Sequence, residues 1–516
     1  MYHATQSQAL HYKRVEMLFA AAMLLFPSVL LGGVAGEDLP LFKAANLGGW
    51  LVVEGWMTPS LFDAIPNNDL LDGTQVHIKS VRLNKYICAE NGGGSALMAN
   101  RDIPKTWETF RLWRINATTF NFRVSNKDFV GFSTQGRGVK LVARDDEPGT
   151  NGTFNIIRNS DDPLRVRIQA SNGLFLQAEA ESAVTADYSG NLDQWEDQDP
   201  SVFEMHIVKS LQGEYQLTNG YGYDEASKIM MNHWNTYIVE DDFRFMRQNG
   251  LNAVRIPVGW WIMYDPMPPQ PFVPGSLLAL DNAFKWALNN NMKVILDLHA
   301  APGSQNGKHH SGSRDGFIEW GDSKILETVA VIDFLARRYG AHPSLGAIEL
   351  MNEPLAPGVT LDSLREYYTA GYEAVREYNP TVYVILSNRL GEADSAELLS
   401  FAARLKYSVI DVHYYNRYSD YFKGLNGQQN AEYVYKKRSK QLQEITRKKG
   451  PLIFVGEWTA ALYNDNASME DYKKFAKAQL DVFGKATFGW AYWSYKCDQN
   501  YWSFKWMIEN NYMKLG

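Results

Sequence analysis

Two glutamates are set apart by their surroundings: Glu353 in Met351-Asn352-Glu353-Pro354, and Glu457 in Val455-Gly456-Glu457-Trp458. Each closes a short apolar run, Leu345-Gly346-Ala347-Ile348-Glu349-Leu350 before the first and Leu452-Ile453-Phe454-Val455 before the second. Runs of this kind read as buried parallel strands. A carboxylate at the C-terminal tip of such a strand is badly placed for a core and well placed for a site. One strand-end glutamate alone is more often a surface or ion-paired residue. Two of them supply an acid together with a base or nucleophile, the pair that cleavage of a glycosidic bond requires. Pro354 turns the chain after the first run and exposes Glu353, and Asn352 beside it can hold a sugar hydroxyl.

The elements that must position this pair follow from the hydrophobic pattern. From Asp224 onward, strand-like runs alternate with helix-like stretches. The runs are 253–256, 294–298, the one ending at Glu353, 382–386, 409–413, the one ending at Glu457, and 489–493. An eighth, 46–52, lies upstream. Helical stretches such as 276–291, 323–339, 361–378 and 469–483 fall between them. This alternation predicts parallel strands with crossover helices: an α/β chain forming a (β/α)8 TIM barrel, interrupted after its first strand. The interrupting block, about 74–210, is all-β in character and repeats three times as strand, turn, strand, long loop, aromatic-led strand. Its third strands begin Phe110-Arg111-Leu112, Phe154-Asn155-Ile156 and Phe203-Glu204-Met205. That is the pattern of a β-trefoil. The organisation predicted is a signal peptide over 1–36, a first barrel segment over 37–73, the insertion over 74–210 and the rest of the barrel over 211–516.

Barrel strand ends gather at one face, and reading them gives one constellation. Strand one offers Trp50 and Glu54, strand two Arg255, and strand three His299. Strand four offers Asn352 and Glu353, strand six His413 and Tyr415, strand seven Glu457, and strand eight Trp493. Taken singly, His299 and His413 read equally well as satisfied core histidines, Arg255 as the partner of a buried acid, and Trp493 as packing. His309-His310 has no carboxylate at ligand spacing in sequence and reads as a solvated loop, so no metal site and no cofactor is expected.

Composition bounds the rest. The 516 residues carry a net charge of −7 with no long basic run, which argues against nucleic acid or an anionic membrane surface as the main partner. Aromatic content is 13%, with 15 Trp and 28 Tyr, side chains that serve cores and sugar-stacking clefts alike. Lys13 and Arg14, an apolar stretch from Met17 to Leu31, and the small residues Gly32, Gly33, Ala35 and Gly36 have the layout of a secretory signal. An uncleaved anchor is the alternative, and no stable membrane insertion is expected. Sequons at Asn116, Asn151 and Asn466 fit a secreted, extracellular or cell-wall protein. Cys88 and Cys497 fall in different units and read as unpaired thiols. The oligomeric state is left open.

At the residues quoted, the sequence resembles glycoside hydrolase family 5. Asn46-Leu47-Gly48-Gly49-Trp50, Val254-Arg255-Ile256-Pro257 and the run from Asp297 to Gly307 are similar to its fungal exo-β-1,3-glucanase branch. The repeats resemble a fascin-like domain, an insertion found in plant forms of the family. Ala300 departs from the fungal pattern, which has Gly there, and the loop Lys308–Arg314 departs as well. The resemblance implies a retaining β-glucosidase acting on β-1,3-glucan or β-gluco-oligosaccharides. Glu353 is then the acid/base, its pKa raised by the second carboxylate. Glu457 is the nucleophile, held ionised by Arg255 and Tyr415. His299 and His413 orient Glu353, Asn352 and the sugar, Trp493 forms the floor of the sugar site, and Glu54 grips hydroxyls. The rivals are the same machinery acting on mannan or β-1,4-glucan, or an inactive barrel whose trefoil binds glycans. Actin bundling, which a fascin-like block suggests, conflicts with an export signal.

Overall fold

The computed structural model describes residues 41–133, 139–464 and 467–515. Eight parallel strands close a barrel. In order they are Phe42–Asn46, Ala253–Gly259, Lys293–Ala300, Leu345–Glu349, Tyr383–Ser387, Ser408–His413, Leu452–Trp458 and Gly489–Tyr492. The eighth returns to the first in parallel, with Phe42 opposite Gly489 and Ala45 opposite Tyr492. Helices Ser276–Asn289, Ile325–Tyr339, Leu361–Tyr378 and Met469–Phe483 carry the chain back outside.

Two strand boundaries differ from the sequence reading. Strand one ends at Asn46, and the Leu47–Val52 run expected to be that strand forms turns beyond it. Gly49 there takes φ +71°, a left-handed conformation costly for residues with a Cβ. Strand four stops at Glu349, so Asn352 and Glu353 stand on the loop past its tip.

The barrel interior is layered by the two-residue period of its strands. One layer is apolar: Ala44, Ala253, Ile295, Ala347, Ile385, Val409, Phe454 and Ala491 cluster with Phe42 and Phe488. Small alanines leave room for the phenylalanines, whose rings meet edge to face at 4.9 Å (Phe42–Phe488) and 5.5 Å (Phe454–Phe488). Two residues further along each strand the layer turns polar: Asn46, Arg255, Asp297, Glu349, Ser387 and Asp411 are all buried. The outer core, between strands and helices, holds the large side chains Trp50, Trp234, Tyr367 and Trp458.

Between strands one and two, twelve antiparallel strands span Gln75 to Lys209 among the described residues. Six of them pair into a ring: Gln75–Ser80 with Phe110–Arg114, that strand with Thr119–Arg123, then Phe154–Arg158, Arg165–Ala170, Phe203–Lys209, and back to Gln75–Ser80. Three hairpins built from the other six strands pair among themselves. A six-stranded ring with three hairpins is a β-trefoil. Its core is its own, with Phe110, Leu112, Phe122, Phe154, Ile168 and Phe203 at the centre.

The trefoil's entry and exit lie together. A Cβ on Gly73 would stand 2.7 Å from Leu211 Cδ1, and Gly55 N donates to Gln212 O at 2.7 Å. The unit packs on the long loop after barrel strand three. Trp113 Nε1 and Arg123 Nη1 both donate to Asp315 at 2.7 Å, and Arg123 Nη2 donates to Glu319 at 3.0 Å. Loops after strands emerge at the C-terminal face of a barrel, so the trefoil stands on the side where the polar layer opens.

The segment read as a signal peptide and the sequon residue Asn466 lie outside the described residues. Asn116 and Asn151 are exposed. Cys88 and Cys497 are free thiols. No helix among the described residues is long and apolar enough to cross a membrane.

One buried acid sits just after the trefoil. Glu214 opens the helix Glu214–Tyr221, is fully buried, and accepts from Val53 N at 3.2 Å. Burial pushes its pKa from 4.5 to about 8. The folded state then holds this proton more tightly than the unfolded chain, so stability falls as pH rises from about 4.5 to about 8. Glu214→Gln is expected to remove that slope and to stabilise the protein at pH 7 by on the order of 3 kcal/mol. Urea denaturation of both proteins at pH 5 and pH 8 checks it. An unchanged difference between the two pH values would refute it.

Candidate active site

The polar layer centres on Arg255, which is fully buried. Its guanidinium binds Glu349 through two bonds of 2.7 and 3.0 Å, and donates to Asn46 Oδ1 at 3.0 Å and Asn352 Oδ1 at 2.8 Å. It also reaches Glu457 Oε1 at 3.2 Å and Asp297 Oδ2 at 3.2 Å. Its planar fork suits this many acceptors, which a lysine could not serve. Its chief partner is therefore Glu349, which sequence reading had not singled out, with Glu457 second. Losing one member of such a buried network costs about 3–5 kcal/mol. Arg255→Met is expected to lose that much in urea denaturation at pH 7. Glu349→Gln in the same background should recover part of it, and strictly additive losses would contradict the pairing.

Glu457 Oε2 accepts from Tyr415 OH at 2.7 Å and lies 3.4 Å from His413 Nδ1. Glu353 Oε1 lies 2.6 Å from that same His413 Nδ1, while His413 Nε2 meets Asp411 Oδ2 at 2.9 Å. Donor atoms of Glu353, His413 and Glu457 all fall within 4.8 Å of one another. Asp411 is in turn anchored by Gly456 N at 2.7 Å, and any Cβ at Gly456 would stand 2.3 Å from its carboxylate oxygens. That contact explains why glycine precedes Glu457.

Glu353 adopts φ 47°, a left-handed conformation that costs a non-glycine residue on the order of 1–3 kcal/mol. It is over-determined by its neighbours. Its N–H donates to Ser387 Oγ at 3.3 Å and its carbonyl accepts from Asn306 Nδ2 at 3.1 Å. Gln305 Nε2 ties the adjacent Asn352 carbonyl to that of His299, at 2.8 and 2.7 Å. Asn352 Nδ2 is buried without a hydrogen-bond partner.

Several expectations are corrected. Trp50 does not line the cleft: it is fully buried, donates to Trp234 O at 3.0 Å and stacks on Trp286, because the chain turns outward at Gly48-Gly49. His299 pairs with Asp297 Oδ2 at 2.6 Å rather than with Glu353 or Asn352, and stacks on Trp493 at 5.4 Å and 9°. Trp493 is backed by Gly48, where a Cβ would stand 2.8 Å from its ring. Glu54 is buried and accepts from Trp56 Nε1 at 2.9 Å and, at 3.2 Å, meets His309 Nε2. His309-His310 is no solvated loop: His310 Nε2 lies 3.3 Å from Glu353 Oε2. The long loop after strand three folds both histidines over the site.

The protonation order differs from expectation for the same reason. Burial would raise Glu353, but hydrogen bonds from His310 and His413 hold it well below the usual carboxylate range. Burial raises Glu457, with His413 and Arg255 opposing and Glu353 reinforcing. Burial would lower His413, but Glu457 and Asp411 carry it well above its ordinary value. Glu54 comes down to about 2, burial being outweighed by His309 and the fields of His310 and His299.

A family model described as cellulase, glycosyl hydrolase family 5, matches residues 218–499. A second, described as a domain of unknown function (DUF7910), matches residues 67–208. A probable glucan 1,3-beta-glucosidase A of Aspergillus clavatus is 33% identical over 381 residues, covering 65% of this chain and 87% of that protein. One from Aspergillus fumigatus is 32% identical over 342 residues, covering 58% and 79%. Among solved structures, a rutinosidase from Aspergillus niger aligns with a TM-score of 0.51 at 21% identity, over 58% of this chain and 88% of that one, a likeness of fold.

Proposed function

The chain belongs to glycosyl hydrolase family 5 and is an O-glycosyl hydrolase, and from that premise we propose that it cleaves β-glucosidic bonds, chiefly of β-1,3-glucan or β-gluco-oligosaccharides, with retention of configuration. The observation carrying retention is the approach of the two carboxylates, whose oxygens come within 4.8 Å of each other. A direct displacement by a carboxylate needs a separation of about 5–5.5 Å, whereas an intervening water needs about 6.5–9.5 Å. The glucan assignment is supported by the relatives named glucan 1,3-beta-glucosidase at 32–33% identity.

Glu457 attacks the anomeric carbon. Its two oxygens take hydrogen bonds from Arg255 and Tyr415, which fix its direction and stabilise its charge. Glu353 protonates the leaving oxygen and then draws a proton from the incoming water. Its partners are imidazoles, which can give up their charge, and not a guanidinium. The 2.6 Å bond from His413 Nδ1 is the route by which Glu353 gains its proton, and a bound sugar that expels water raises its affinity for it. The cluster titrates as a unit, so a bell-shaped pH profile reports the group and not one residue. Asn352 Nδ2 supplies a donor to a sugar hydroxyl, Trp493 walls the sugar site, and Glu54 holds further hydroxyls. The segment before residue 37 directs the enzyme to the extracellular space or cell wall.

Digestion of laminarin, mannan and short β-glucosides, with the product anomer read by NMR at early times, tests the proposal. Release of β-glucose from laminarin is the expected result. Initial α-glucose overturns retention, and preference for mannan or a β-1,4-linked glucan overturns the substrate.

A further inference from the structure

The loop after strand three brings His309 and His310 against Glu54, residues 255 positions apart in the His309–Glu54 contact. We propose that Glu54, His309 and His310 form a binding site for one divalent cation of the zinc class at the edge of the catalytic cleft.

The donor set carries the proposal. Two imidazoles and one carboxylate are the ligands that suit Zn2+ and its neighbours, and three protein ligands leave a fourth position for water. Glu54 Oε2 lies 3.2 Å from His309 Nε2 and 3.9 Å from His310 Nδ1, and one donor atom from each residue falls within 4.8 Å of the others. Ligands 2.0–2.1 Å from a tetrahedral ion stand about 3.3 Å apart. The side chains need to close by less than a rotamer change.

The ligands are also held from behind. Trp56 Nε1 donates to Glu54 Oε2, the same oxygen that faces the histidines, at 2.9 Å, orienting the carboxylate. Glu54 is bridged to Gly213, and a Cβ on Gly213 would stand 2.4 Å from the His309 carbonyl oxygen, so strand-like backbone and histidine loop are packed in contact. With the ion on His310 Nδ1, His310 Nε2 carries a proton and faces Glu353 Oε2 at 3.3 Å, the carboxylate–histidine–metal arrangement that fixes a ligand's tautomer. The side chains of Glu54, His309 and His310 are 4%, 29% and 16% exposed, so the site is walled by protein yet open to entry along the histidines.

Ion and sugar both call on Glu54, so a filled site raises KM for the glucoside. This second consequence rests on the glycosidase reading, and the binding itself does not. Titration calorimetry of the full chain with Zn2+ at pH 7.5 is expected to show one saturable site, weakened at least about tenfold in His309→Ala. Cobalt(II) added to the unmutated protein should give the intense visible absorption of a four-coordinate ion, a readout independent of any variant's folding. Absence of saturable binding, or equal affinity in His309→Ala, overturns the site. So does binding that survives in His309→Ala but vanishes in Glu457→Gln, which would put the ion between Glu353, His413 and Glu457.

Discussion

Glu457→Gln is expected to lower hydrolysis of every β-glucoside, activated or not, by about 10⁴-fold or more, roughly 5–6 kcal/mol of transition-state stabilisation. The amide keeps the shape of the carboxylate and can still meet Tyr415, but it has no charge to give to the anomeric carbon. Arg255 keeps its two bonds to Glu349, so the fold should hold and the melting temperature should move little. The measurement is release of nitrophenol from an aryl β-glucoside, alongside mass spectrometry for a glycosyl-enzyme trapped by a fluorosugar. A variant that turns over the aryl glucoside at near the original rate removes Glu457 from the role of nucleophile.

Glu353→Ala should separate substrates by leaving group. Protonation is worth about 10²–10⁴-fold for a poor leaving group and little for a nitrophenolate. Hydrolysis of laminarin-derived oligosaccharides should fall by that factor, and activated glucosides far less in their first step. The space freed lies beside His413 and His310, which azide can enter and attack the glycosyl-enzyme. A β-glycosyl azide is the expected product. An α-azide would establish inversion, and no rescue together with uniform loss on all substrates would assign Glu353 a structural part.

Much of this architecture could be read from the chain because its periodicities are strong. Apolar runs alternating with helical stretches predicted the barrel, and three repeats predicted the trefoil, whose ring is closed by the pairing of Gln75–Ser80 with Phe203–Lys209. Asp297–His299 on strand three and Asp411–His413 on strand six share a two-residue spacing. That spacing was a legible sign that each histidine carries a carboxylate behind it, and it was missed. Trp50 was misplaced because an apolar run with two glycines reads equally as strand or turn. His310 could not have been found at all. Its place depends on the path of a long loop pinned by the trefoil at Asp315 and Glu319, and no local pattern encodes that path. The sequence reading set His299 and His413 beside Glu353, whereas the imidazoles that meet its carboxylate are His310 and His413, and these hold its pKa down where the second carboxylate alone would raise it.

The adjacency of the trefoil's two ends has a consequence for how the molecule assembles. Pairing of strands one and two brings Asn46 to Arg255 across 209 positions. If the trefoil collapses first, joining Gly73 to Leu211, it removes roughly two thirds of the chain that must be looped, a saving on the order of 1 kcal/mol in closure entropy. The larger effect is on order of events. A nascent chain emits strand one, then a self-contained all-β unit with its own core, then the remaining seven strands. Strand one must wait, unpaired on both edges, until strands two and eight exist. A trefoil that folds promptly shortens the tether to that waiting strand, and slow-folding trefoil variants should leak aggregates during synthesis even where the finished enzyme is fully stable.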